Sequence, residues 1–285
     1  MAATLRKALI TAAGPSQRRL PLQSLTDRNG VTKPAIAIIL SEMVAAGIEK
    51  IGLVLAPGER PAYEALLGEF ATQVVYLEQA QALGYGHAVL CGREFVGGER
   101  FLLQVCDHLY VSSTEKSCTR QLLDLGEAED CSISAVQATH ESQLRFYGTV
   151  AGSLVPGRSG LYQIESVVEK PTPTLAEQQC IVPGLRSAHY LCFFGMHLLT
   201  PRVFGLLEED LARAVGGRIG LSPALARLSQ HEKYLAAEIS GRRSDLEAHF
   251  GLLRAQIALG LNGAQRDEVL AILAGELASD AVARR

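Results

Sequence analysis

Polar residues with chemical promise stand where apolar runs give out. Lys7-Ala8-Leu9-Ile10-Thr11-Ala12-Ala13-Gly14 ends in small residues, and the basic loop Pro15-Ser16-Gln17-Arg18-Arg19 follows it. Gln79 opens a segment that runs to the glycines Gly84 and Gly86. Asp107 comes directly after Phe101-Leu102-Leu103-Gln104-Val105-Cys106. An apolar run of this length, closed by turn residues, reads as a buried strand. A buried strand emptying into a short, donor-rich loop with arginines suits phosphate, because backbone N–H groups and cations meet the anion there.

The elements that must position these groups alternate through the first half. Strands are expected at 51–55, 73–77 and 101–106, with helices at 35–47, 60–67 and from Gly84-Tyr85-Gly86-His87 through Cys91. Pro34 at the start and Gly47 at the end of the first helix are its boundary signals. Strands spaced by helices give a parallel sheet covered on both faces, and ligands gather at the carboxyl ends of its strands. The second half is richer in strands, expected at 132–138, 147–150, 161–169, 188–194 and 234–239. A hairpin tip is expected at 155–160 and a surface loop at Pro171-Thr172-Pro173-Thr174. Further helices are expected at 201–215 and 222–229. The tail, 246–277, reads as two amphipathic helices broken at Leu261-Asn262-Gly263, able to pack on the domain or on a second subunit.

A chain of 285 residues with 48% apolar and 20% charged residues can build a large core. A net charge of −3 speaks against general binding to nucleic acid or an anionic membrane. No apolar run approaches the ~20 residues needed to span a bilayer, and no signal peptide is read at Met1–Lys7. Cys91, Cys106, Cys118, Cys131, Cys180 and Cys192 are scattered without a C-x-x-C pair and read as reduced thiols, so a cytoplasmic protein is expected. His87 with Cys91, and His189 with Cys192, lack the two further ligands a zinc site needs.

Several stretches together resemble the bacterial UTP–glucose-1-phosphate uridylyltransferases, within the sugar-1-phosphate nucleotidyltransferases. They are Lys7-Ala-Leu-Ile-Thr-Ala-Ala-Gly14, Leu83-Gly-Tyr-Gly-His-Ala-Val89, Val105-Cys-Asp-His-Leu-Tyr110, Tyr147-Gly-Thr-Val150 and Val167-Val-Glu-Lys-Pro171, in the family's order. The resemblance implies an α/β fold with a Rossmann-like, mixed, mostly parallel sheet flanked by helices, a strand-rich insertion and C-terminal helices. It implies a nucleotidyltransferase domain over 1–245, with a nucleotide-binding half at 1–130 and a sugar-binding half at 131–245, and a helical tail at 246–285. The implied reaction joins UTP and a sugar-1-phosphate, most simply glucose-1-phosphate, into a UDP-sugar and pyrophosphate with Mg²⁺. A homo-oligomer is expected.

Residue by residue, the resemblance puts Ala12, Ala13, Gly14, Gln79 and Gly84 around the nucleotide, Gly148, Glu169 and Tyr190 around the sugar, and Lys170 on the phosphates. It makes Asp107 and Asp245 the metal aspartates. For Asp245 the competing reading is a helix N-cap before 246–253, and for Gln79 an exposed loop glutamine. The chain departs from the family at the phosphate loop, where Gly14-Pro15-Ser16-Gln17-Arg18 stands against Gly-x-Gly-Thr-Arg. It also lacks the family's lysine just downstream, so Arg18 and Arg19 are expected to supply the positive charge, with Arg28 as a further source. The alternative is a catalytically degenerate member that binds a nucleotide or nucleotide-sugar as a sensor or subunit.

Overall fold

The computed structural model describes residues 5–15 and 18–283. In chain order the strands and helices of the first half are β1 (Lys7–Thr11), β2 (Ser24–Thr26), β3 (Thr32–Pro34), α1 (Ala35–Ala45), β4 (Lys50–Leu55), α2 (Arg60–Leu66), β5 (Val74–Glu78), α3 (Tyr85–Leu90), α4 (Arg93–Val96), β6 (Phe101–Val105), β7 (His108–Ser112) and α5 (Cys118–Glu129). There follow β8 (Ser132–His140), β9 (Thr149–Leu154), β10 (Leu161–Val168), α6 (Pro173–Gln179), β11 (His189–Leu199), α7 (Arg202–Arg213), α8 (Ser222–His231), β12 (Tyr234–Glu238), β13 (Gly241–Asp245), α9 (Gly251–Leu261) and α10 (Arg266–Ala283).

One nine-stranded sheet runs β5-β4-β1-β6-β11-β8-β12-β10-β9. The first four strands are parallel, as the strand–helix alternation requires. Strand β11 then enters antiparallel to both β6 and β8 and ties the two halves together. The sheet is therefore mixed, with β10 and β11 running against the rest. The alternation of side chains sends Ala8, Ile10 and Leu102 to one face, under α1 and α5. It sends Leu9, Phe101 and Leu103 to the other face, under α3, α7 and α8. Such two-sided cover is why the central strands are apolar throughout.

The expected helix at 35–47 forms as α1, and Gly47 ends it at φ +102°, a conformation with little cost for glycine alone. The hairpin tip at 155–160 forms between β9 and β10. The surface loop is shorter than expected: Thr172 caps α6, its hydroxyl accepting from Leu175 N at 3.2 Å, so Pro173 and Thr174 are helical. Strands β7 and β13 are unforeseen. Gly241-Arg-Arg-Ser-Asp245 is polar and has no strand signature; it is a strand only because β7 pairs with it.

Phe101 is fully buried and stacks on Phe204 with ring centroids 5.2 Å apart, joining β6 to α7. Phe101→Ala should cost roughly 3–5 kcal/mol of stability. Urea denaturation checks this; an unchanged midpoint would contradict the packing of α7 on the sheet.

Candidate active site

A cleft of about 450 Å³ opens along the carboxyl ends of the central strands. Strand β1 delivers Ala13, Gly14 and Pro15 to it, the loop after β5 delivers Gln79, and β6 delivers Val105 and Asp107. From the second half come Gly148, Glu169 with Lys170, Phe193, His197 and the residues that lead into α8. The sheet seam at β11 is thus what brings the two sets face to face.

At one end, Gln79 is buried rather than an exposed loop residue. Its amide nitrogen donates to the Gly84 carbonyl at 3.0 Å and to His87 Nδ1 at 3.0 Å, which leaves its carbonyl oxygen as an acceptor. Gly84 sits at φ +96°, and a Cβ there would lie 2.3 Å from the Ile219 carbonyl oxygen. Gly86 is equally confined, with the Gly220 oxygen 2.5 Å from where its Cβ would be. Backbone bonds from Ile219 N to Leu83 O at 2.8 Å and from Gly86 N to Ile219 O at 3.1 Å close the two loops together. These glycines are needed for loop-on-loop packing at the cleft wall.

At the other end, Gly148 and Glu169 adjoin. A Cβ on Gly148 would lie 2.7 Å from the Phe193 ring and 3.2 Å from Glu169 Oε2. Ser222, at the start of α8, donates to the same Oε2 at 2.5 Å and so fixes the carboxylate. Lys170 holds φ +45°, unfavourable for a side chain and doubly so before Pro171, a strain of order 1–3 kcal/mol that clusters at functional positions.

The cleft is also lined by Asp107 and Asp245. Asp107 is buried, with its Oδ1 2.7 Å from His108 Nδ1. Strand β13 runs antiparallel to β7 so that Asp245 lies opposite His108, and Leu246 N donates to Asp107 O at 2.8 Å. Both aspartates line the cleft, one at the end of β13 and the other just before β7, the strand with which β13 pairs. Asp245 Oδ1 also accepts from Glu247 N at 2.9 Å and Ala248 N at 3.2 Å, holding a turn; the helix that follows begins only at Gly251. No group of three or more metal-ligating side chains occurs among the described residues.

Several expected residues stand elsewhere. Ala12 points to the opposite face of the sheet, since Thr11 and Ala13 take the cleft side. Tyr190 packs with Leu144, Ala176, Cys180 and Cys192; it is Phe193, three residues on, that reaches the cleft. Arg18 and Arg19 do not line the cleft. The Arg18 carbonyl accepts from the Tyr63 hydroxyl at 3.3 Å, and Arg19 precedes a 3₁₀ turn at Leu20–Leu22. Ser16 and Gln17 lie outside the described residues. Arg28 is remote, donating to Asn262 O at 3.2 Å beside the C-terminal helices. Among the described residues, the cations that do line the cleft are Lys170 and Arg218. Sequence reading passes over Arg218, although Gly216-Gly217 before it and Ser222-Pro223 after it are loop and helix-start signals.

Residues 7–242 match the family model described as nucleotidyl transferase. The chain belongs to the nucleotidyl transferase family. A UTP–glucose-1-phosphate uridylyltransferase of Streptococcus pneumoniae is 30% identical, with 93% of this chain and 93% of the relative covered. One of Bacillus subtilis is 29% identical over 96% of this chain and 97% of the relative. The solved structure of a UDP-glucose pyrophosphorylase complexed with UDP-glucose superposes with a TM-score of 0.73 at 26% identity, over 89% of this chain and 98% of that one. Among this nucleotidyl transferase's described residues no helix is long and apolar enough to cross a membrane. All six cysteines are free, and all but Cys91 are buried.

His197 is an unforeseen cleft residue of this nucleotidyl transferase. Burial pushes its pKa from 6.5 down to about 3. The unfolded chain takes up a proton near pH 6.5 and the folded chain does not, so stability is fully present above that pH and falls as pH drops towards 3. His197→Gln should flatten the pH dependence of stability between those limits, measured by denaturant titration at a series of pH values.

Proposed function

We propose that this enzyme transfers uridylyl from UTP to a sugar-1-phosphate, with glucose-1-phosphate as the sugar substrate, giving a UDP-sugar and pyrophosphate. The observation that carries this is the convergence, in one cleft, of the Gly14 turn, the Gln79–Gly84 wall, Asp107 with Asp245, and Glu169 with Lys170. A uracil ring suits the first end: its N3–H is a donor, and Gln79 keeps a carbonyl acceptor while its amide nitrogen is committed to Gly84 and His87. Vicinal sugar hydroxyls suit the other end, where the Glu169 carboxylate accepts and the absent side chain of Gly148 leaves room. Lys170 supplies a point charge for the phosphates.

Among the described residues the cleft presents four carboxylates, Asp107, Glu169, Asp245 and Glu247, against the two cations Lys170 and Arg218. A triphosphate would be repelled by that balance, so a divalent cation is required between the two sets of anions. Asp107 and Asp245 would hold it, being hard oxygen donors that both line the cleft, the kind of ligand Mg²⁺ takes. When bound, Mg²⁺ neutralises phosphate charge and orients the α-phosphate. The chain's own residues then place the reactants. An oxygen of the sugar phosphate attacks the α-phosphorus, the bond from that phosphorus to the bridging oxygen of the β-phosphate breaks, and pyrophosphate leaves in line. Holding two anions in line is the main catalytic task, and no covalent intermediate on the protein is needed. Arg218 takes the part of the missing loop lysine. Free, mostly buried thiols suit a cytoplasmic setting.

Pyrophosphate release from UTP with a panel of sugar-1-phosphates tests the reading. Asp107→Asn should abolish release while leaving the fold intact by circular dichroism. Arg218→Ala should lower kcat/KM by roughly 10- to 100-fold, the loss of a charge-assisted contact of about 1.5–3 kcal/mol. The competing outcome of this test is nucleotide binding without turnover. Calorimetric binding of UTP by a protein that never releases pyrophosphate would establish that one instead.

A further inference from the structure

We propose that His197 is a specificity-determining residue whose Nε2–H donates to a hydroxyl oxygen of the bound sugar, with Ser134 and Tyr234 holding the ring for that purpose. This rests on the sugar-binding reading of the cleft. His197 lies in β11 between Leu103 of β6 and Ser134 of β8, and it lines the cleft while only 4% exposed. Its Nδ1 is 2.6 Å from Ser134 Oγ, which is itself 2.5 Å from the Tyr234 hydroxyl. Were Nδ1 and Tyr234 both to donate to Ser134, the Ser134 proton would have no acceptor among the described residues, which leaves two arrangements to compare. If Nδ1 donates to Ser134, then Ser134 donates to Tyr234, and the buried tyrosine proton has no acceptor among the described residues. If Tyr234 donates to Ser134 and Ser134 to Nδ1, every proton inside the protein is used, and the ring's remaining proton stands on Nε2. Buried donors are rarely left unpaired, so the second arrangement prevails.

The donor then has one place to go. Among the described residues no side chain or carbonyl pairs with Nε2, and the ring borders the cleft. Its position marks the sugar end. Glu169 and the Phe193 ring both close on Gly148, and Phe193 meets His197 edge to face with centroids 4.8 Å apart. A ligand held by Glu169 over Gly148 and Phe193 extends towards His197. The ring remains uncharged at neutral pH because burial opposes its protonation. A neutral N–H suits a hydroxyl oxygen, whereas a phosphate is better met by the cations Lys170 and Arg218.

The test compares wild type with His197→Phe on monodeoxy glucose-1-phosphates. Wild type should lose about tenfold or more in kcat/KM at one deoxy position, the worth of a hydrogen bond to a buried donor, and His197→Phe should show no penalty at that position. The KM for UTP should not move, and His197→Gln, which restores an N–H donor, should recover part of the discrimination. Equal penalties in wild type and His197→Phe at every position overturn the proposal. A second measurement needs no turnover: nitrogen-15 NMR of the ligand-free protein should show the Nε2–H tautomer for His197, lost or mixed in Tyr234→Phe. An Nδ1–H tautomer overturns the proposal whatever the activity. Absence of pyrophosphate release by wild type with every sugar-1-phosphate overturns the transfer reading alone; the same deoxy comparison is then made on UDP-sugar binding by calorimetry, and equal affinities in wild type and His197→Phe overturn the role of His197.

Discussion

The antiparallel seam at β11 is the constraint on which the rest of the molecule depends. A parallel sheet delivers all its loops to one edge, but the first four strands alone supply only one wall of a cleft. Strand β11 hydrogen-bonds to β6 on one side and β8 on the other, and its register slips between Phe193 and His197. Gly195, inside that slip, adopts φ +96°, and a Cβ there would meet the Tyr110 hydroxyl at 2.7 Å. The irregularity bends the strand at the cleft and leaves both Phe193 and His197 facing it. Without the seam, Gly148, Glu169 and His197 would have no fixed relation to Gly14 and Asp107.

Polar support around the cleft is paid out to position rather than to bulk stability. Ser222 fixes Glu169, Gln79 fixes the Gly84 turn, and Ser134 with Tyr234 fixes His197. Arg243 does the same for the outer wall: it lies 3.6 Å from the Tyr147 ring centroid and donates to the Phe193 carbonyl. Each support comes from a different element, so the cleft is rigid only when the whole sheet is assembled.

Apolar periodicity and glycine punctuation were enough to place β1, β4, β5 and β6 and the helices α1, α2 and α3, because a buried parallel strand needs a continuous apolar run. Motif spacing was enough to bring Gly14, Gln79, Gly84, Asp107, Gly148, Glu169 and Lys170 to the cleft. It was not enough for Tyr190. A motif match says nothing about which sheet face a side chain takes, and with a period of two the face is decided by single-residue register. Nor was it enough for Arg18 and Arg19, whose loop is followed directly by a 3₁₀ turn that carries the chain off towards the β2–β3 hairpin.

The sequence by itself determined the alternation of elements, the family, and the residue types able to bind phosphate, hydroxyls and a cation. It did so because these are local matters of pattern and chemistry. Only the tertiary structure decided which of those residues meet. Asp245 joins Asp107 through the pairing of β13 with β7, Arg218 enters through the packing of its loop on Leu83–Gly86, and His197 is aimed by hydroxyls on two other strands. Contacts of that kind link residues up to more than a hundred positions apart, and no local pattern encodes them.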